Sequence, residues 1–201
     1  MAIRTANNQS LTEITALPSV ITVGSLVLLA TETASSSATL SFTSGIDSTY
    51  DEYVFKFINL HIQTDNRNLM MNMSIDGGDN YNVTKTTTQF ATYHNEGDTA
   101  TALEYRAGLD LAQSTADQNL SNGVGNDNDQ SVSGEMHLYN PSSTTFVKHF
   151  TSTFQAVEQQ DMSFNSFIAG YANTTSAVDA IVFKINSGNI DTGVIKMYGV
   201  T

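Results

Sequence analysis

Ala38-Thr39-Leu40-Ser41-Phe42-Thr43 puts Ala38, Leu40 and Phe42 on one side of an extended chain and three hydroxyl residues on the other. A period of two is the mark of a strand with one face buried and one wet. The alternation returns at Leu69, Met71, Met73 and Ile75, and again at Leu103, Tyr105, Ala107, Leu109 and Leu111. Turns rich in Ser, Thr, Asn and Gly separate these runs almost from end to end. Many short strands with repeated turn signals predict an all-β sandwich or barrel. The pattern leaves little room for a scaffold of alternating strands and helices, and points to a surface or assembly module.

Working outward, strands are expected over roughly 24–33, 37–44, 51–63, 68–76, 86–94, 102–112, 133–139, 145–157, 162–172, 177–186 and 191–200. Tyr53–Ile62 is apolar on both faces, so its second face needs a cover. Asp76-Gly77-Gly78 predicts a tight hairpin, because glycine reaches positive φ without steric cost. Asn140-Pro141-Ser142-Ser143 and Asn186-Ser187-Gly188-Asn189 are loop signals of the same kind. Ala112–Val132, which contains Gly123-Val124-Gly125-Asn126-Asp127-Asn128-Asp129, has no apolar period and reads as a long polar loop.

The longest apolar stretch, Val20–Ala30, is too short to span a bilayer. Nineteen mostly polar residues with only Arg4 basic precede it. It reads as a buried strand rather than a signal-peptide core.

Residues 1–19 form a separate unit, an N-terminal arm, ahead of the sandwich expected over 20–201. Ser10-Leu11-Thr12-Glu13 has capping-box spacing, and Pro18 ends the short helix that follows. Leu11, Ile14 and Leu17 share one side of it, and with Ile3 they are the expected assembly contacts. A helix of one or two turns does not persist alone in water, so the arm needs a surface to dock on.

The chain of 201 residues is 40% hydrophobic and includes 10 Phe and 8 Tyr, enough for a core in one domain. Its net charge of −12, from 20 acidic and 8 basic residues, repels phosphate backbones and argues against nucleic-acid binding. There is no cysteine, which excludes disulfides, thiolate metal sites and cysteine nucleophiles.

Catalytic signals are weak. His61, His94, His137 and His149 show no metal-ligand spacing and read as exposed-face residues. Asp76–Asn80 and Asn126–Asp129 offer oxygen ligands on turns, but neither fits the twelve-residue calcium loop. Two such loops converging in space would be the one route to a calcium ion; no metal or cofactor is expected. Asp51/Glu52, Glu96/Asp98 and Asp110 stand at turns or edges, not in an evident carboxylate pair. Neither a nucleophile elbow nor a phosphate loop occurs, so no enzymatic activity is expected. Tyr81, Tyr93, Tyr139 and Tyr171 flank loops, where they suit either rim packing or stacking on sugars.

Several phrases resemble a recurring class of tailed-bacteriophage virion structural proteins. They are Met1–Pro18, Thr31–Phe42 with Thr43–Tyr50 behind it, Ser74–Tyr81, Ser133–Pro141, and Gly188–Gly199 with its ending Ile195-Lys196-Met197-Tyr198-Gly199. The resemblance implies an antiparallel two-sheet, jelly-roll-like β-sandwich, ordinarily a homotrimer located in the virion. It implies a capsid cement or decoration protein that binds the major capsid protein and stabilises the outer shell. The alternative is a tail-fibre or tail-tip module recognising host surface glycan. No catalytic residues belong to the pattern, and no membrane partner is implied.

Overall fold

A computed structural model describes residues 26–201, and every regular element among them is a β-strand. The strands are β1 (Leu26–Thr33), β2 (Thr39–Phe42), β3 (Glu52–Ile62), β4 (Arg67–Ser74), β5 (Lys85–Asn95), β6 (Thr101–Tyr105), β7 (Gln118–Val124), β8 (Val132–Tyr139), β9 (Lys148–Glu158), β10 (Met162–Ala172), β11 (Ala180–Ile185) and β12 (Ile190–Val200). The expected arm over 1–19, with Ile3, Leu11, Ile14 and Leu17, lies outside the described residues.

β1, β12, β3, β8 and β9 pair in that order, and β10, β5 and β6 continue from β9. β7, β4, β11 and β2 form a shorter second run. The strand pairings are antiparallel. The two runs touch at both seams. Val124 of β7 pairs with Glu158 of β9. Ser37, just ahead of β2, exchanges backbone bonds of 2.8 and 2.9 Å with Ile190 of β12. The sheet therefore nearly closes into a barrel, and β10 and β5 extend beyond the seam over β7.

Aromatic side chains fill the interior. Phe183 of β11 meets Phe57 and Phe55 of β3 edge to face, with ring centroids 4.8 and 5.5 Å apart. Phe42 of β2 and Phe154 of β9 complete the cluster. Edge-to-face rings add attraction beyond the area they bury. Leu69, Met71 and Met73, the alternation read in β4, line the same core.

Several expectations are corrected. The long loop over 112–132 contains strand β7. Leu120 and Val124 of β7 enter the core, while the buried Gln118 carboxamide accepts from Thr87 Oγ1 at 2.6 Å and donates to Leu109 O at 3.1 Å. β7 is covered on both sides, one of them by polar groups of β5, so burial wrote no apolar alternation into it.

The strand read over 102–112 stops at Tyr105, where Leu109 N–H donates to Arg106 O at 2.9 Å and closes a turn. Gly77 and Gly78 do hold positive φ, 74° and 93°. Their turn is not a hairpin, because β4 and β5 belong to different runs and the chain crosses between them. β1, the described part of the apolar stretch, is half-exposed rather than buried. Among the described residues it pairs only with β12, and Leu26 and Leu28 are 44% and 52% exposed. On the second face of β3, Val54 is buried between its cross-strand neighbours His137 and Tyr198, whereas Ile58 stays exposed.

Candidate interaction surface

β-branched and aromatic residues make β9, β10, β5 and β6 a broad pleated sheet. Register and burial together assign its outer side chains. One row runs Thr153, Phe167, Phe90, Tyr105. The next runs Gln155, Asn165, Thr92, Leu103. In the other direction come Thr151, Ala169 and Thr88, then His149, Tyr171 and Thr86. None of these is Asp, Glu, Lys or Arg, on a chain whose net charge is −12.

At the centre the Phe90 and Phe167 rings stack, with centroids 4.8 Å apart and planes 12° from parallel. Leu103 is 71% exposed and Tyr105 55%. Exposed apolar side chains are ordinary singly; a contiguous group marks a contact surface.

The same outer face changes character across β9. On β8 and β3, Lys56 pairs with Glu135, and this partner holds the Glu135 carboxyl below the usual carboxylate range. His137 Nδ1 stands 2.6 Å from Glu52 Oε1. One half of the face is thus ionic and the other uncharged and aromatic.

The small residues Ala169 and Gly170 leave a groove of about 330 Å³ between Thr86–Thr88 and His149–Thr151. Tyr171 rims it, 6.3 Å from the His149 ring. Gln113 Nε2 donates to Tyr171 Oη at 3.4 Å, and Asn173 Nδ2 donates to Gln113 Oε1 at 2.7 Å.

Of the other residues singled out from sequence, His61 and the Asn126–Asp129 loop come together and the rest stay apart. His61 lies in a polar cleft of about 590 Å³ with Asp129 and Asp191, its Nδ1 3.6 Å from Asp191. His94 pairs with Asp98 at 3.0 Å, and Tyr105 donates to Asp110 at 2.6 Å. The two acidic loops sit at opposite ends of β4. Arg67 at its start pairs with Val124, just before Asn126, while Asp76 follows its end. Asp76 serves its own turn, accepting from Ser74 Oγ at 2.6 Å and Asn80 N at 2.9 Å. These bonds lower its carboxyl pKa, with Ser74 the largest cause. Among the described residues, no group of three or more His, Asp or Glu is placed to hold a metal ion.

Of the four loop tyrosines, Tyr139 and Tyr171 flank β9 on the outer face; Tyr139 Oη is 3.2 Å from Thr151 Oγ1. Tyr93 stacks on Phe164. The sequence reading passed over Phe90 and Phe167, and it put Leu103 and Tyr105 on a buried face where the structure exposes both. The available signal was the uncharged Thr86–His94 run, with one Phe among threonines on its wet face.

No protein-family model, curated protein or solved structure matches the chain.

Proposed function

We propose that the protein is a structural component of a virion exterior, a cement or decoration protein of the tailed-phage kind that its sequence resembles. On this reading the two strand runs are the sheets of a jelly-roll-like sandwich, three copies associate, and residues 1–19 bind the major capsid protein. The observation that carries it is the uncharged aromatic half of the outer face. Chains of net charge −12 repel one another. A homotypic contact is least costly where it desolvates no ion and opposes no like charges. The face of Phe90, Phe167 and Leu103 meets both conditions, with the carboxylate of Asp110 on Tyr105 to one side of it, so its occupant is a second copy of this chain. The number three comes from the resemblance.

Light scattering on the purified protein is expected to give the mass of a trimer. Phe90→Glu puts a charge at the centre of the face, and is expected to yield monomers with an unchanged circular dichroism spectrum. A monomeric wild type at micromolar concentration, with no threefold contact on particles, would refute the assignment.

Removal of residues 1–19 is expected to leave the sheet core folded and abolish incorporation into particles. Wild-type occupancy by the truncated chain would move the anchor to the sandwich itself.

Glycan recognition in a tail fibre or tail tip is the second reading. The groove at Ala169–Gly170 favours it, since it combines the rings of His149 and Tyr171 with the hydroxyls of Thr86, Thr88 and Thr151. Labelled protein on capsid faces supports the first reading; labelled protein at the tail alone supports the second.

A further inference from the structure

Lys85 opens β5 and is fully buried. Its Nζ donates to Asn72 Oδ1 at 2.6 Å and to Val83 O at 2.7 Å. Asn72 lies on β4, on the side opposite the core residues Met71 and Met73, and is 1% exposed. Its Nδ2 donates to Asp117 Oδ1 and to Thr115 O, both at 3.0 Å. Met73 N–H donates to Asn72 Oδ1 at 2.9 Å. Asp117 Oδ2 faces Lys184 Nζ of β11 at 2.6 Å. A buried amine therefore bonds a buried carboxamide, and that carboxamide bonds in turn a carboxylate from a third segment.

The placement favours chemistry as well as hydrogen bonding. A bond of 2.6 Å to Oδ1 and a C=O length of about 1.23 Å hold Nζ within about 3.8 Å of the carboxamide carbon. That approaches the separation at which oriented groups react. Burial disfavours the ammonium form and draws the Lys85 pKa down to about 8, against the opposing pull of Asp117. The neutral amine is the nucleophilic form.

We propose that Lys85 and Asn72 join in an intramolecular isopeptide bond, formed by the chain itself with Asp117 as proton carrier. The neutral Nζ attacks Cγ of Asn72. Negative charge developing on Oδ1 is met by the Met73 N–H, an oxyanion donor already in place. Attack carries Nζ onto Cγ, one bond from the Nδ2 that Asp117 already holds, and there Asp117 takes a proton from the newly bonded nitrogen and delivers one to Nδ2. The Cγ–Nδ2 bond breaks and ammonia leaves. One C–N bond forms and one breaks, and nothing is oxidised or reduced. Counted from the ammonium form of Lys85, the products are a substituted amide and one ammonium ion. The bond ties β4 of the shorter run to β5 of the longer one.

Intact-mass measurement on the wild-type protein tests this directly. The expected mass is about 17 Da below that of the sequence, the mass of one ammonia. Trypsin applied after denaturation locates the change. Arg67, Lys85 and Arg106 are successive cleavage sites, with no Lys or Arg between them. The linked chain gives one peptide over 68–106, uncut at Lys85 and lighter by the same mass. The full sequence mass with separate peptides 68–85 and 86–106 would overturn the proposal, as would a gain of about 1 Da from simple deamidation. Asp117→Asn is expected to show the mass of its own sequence and normal cleavage at Lys85. A linked Asp117→Asn protein would remove Asp117 from the mechanism. The wild-type measurement decides the bond whether or not any variant folds.

Discussion

Phe183→Ala is expected to lower the unfolding free energy by about 4 kcal/mol, within the range for emptying an aromatic site in a closed core. Phe183 carries the shorter strand run onto the longer one. Its ring stands edge to face with Phe42, Phe55 and Phe57, and it is fully buried. Its removal takes away transfer free energy and leaves a space that three rigid rings on two strands cannot collapse to fill. Domains of this kind are stable by about 5–15 kcal/mol, so a large share of the margin is lost. Denaturant melts should show a lower midpoint at an unchanged slope, the sign that stability rather than compactness has altered. Phe146→Ala is the control. That ring is 69% exposed and should change stability by no more than about 0.5 kcal/mol. Equal losses in the two variants would mean that the aromatic cluster is not what couples the runs.

The alternation at Leu40/Phe42 and at Leu69/Met71/Met73 was legible because those strands have one apolar side and one polar side. β7 was not, because its second side packs on Thr87 and Gln89 of β5, and a strand buried against polar groups is itself polar. β5 misleads for the same reason in reverse. Thr87 and Gln89 point inward and Phe90 outward, so apolar-inside is inverted over part of the strand. The interaction surface was hidden by that inversion. The Asn72–Lys85–Asp117 site was hidden by topology. Asn72 reads as one polar residue among methionines, Lys85 as the residue ahead of a strand and Asp117 as loop. Only the crossing from β4 to β5, with β7 recognised as a strand, sets them in contact.

Asn72→Ala is expected to add a dependence of stability on pH to that of the wild type. The variant cannot form the isopeptide bond, so Lys85 stays an amine buried beside Asp117, with Lys184 of β11 on the far side of that carboxylate. Burial holds the unlinked Lys85 at a pKa of about 8 beside Asn72, against 10.5 for the free side chain, and both causes of that shift, burial and Asp117, stay in the variant. Between these values the unfolded state binds more protons than the folded one, so stability rises with pH. Below pH 8 both states are protonated and the cost of burying the charge is fully present; above 10.5 neither is, and the cost is gone. A separation of this size corresponds to about 3 kcal/mol across the window. In the linked wild type the nitrogen belongs to an amide and does not titrate. The variant also loses the constraint on the unfolded chain, worth about 3 kcal/mol for a loop near this length. Tyr53, whose buried hydroxyl has a raised pKa, titrates in both proteins and cancels in the comparison. Denaturant melts of the two proteins from pH 7 to pH 10 should therefore start far apart and converge by about 2–3 kcal/mol as the variant's amine is relieved of its charge. Parallel curves would mean that Lys85 carries the same group in both, and the covalent link between β4 and β5 would fall with that result.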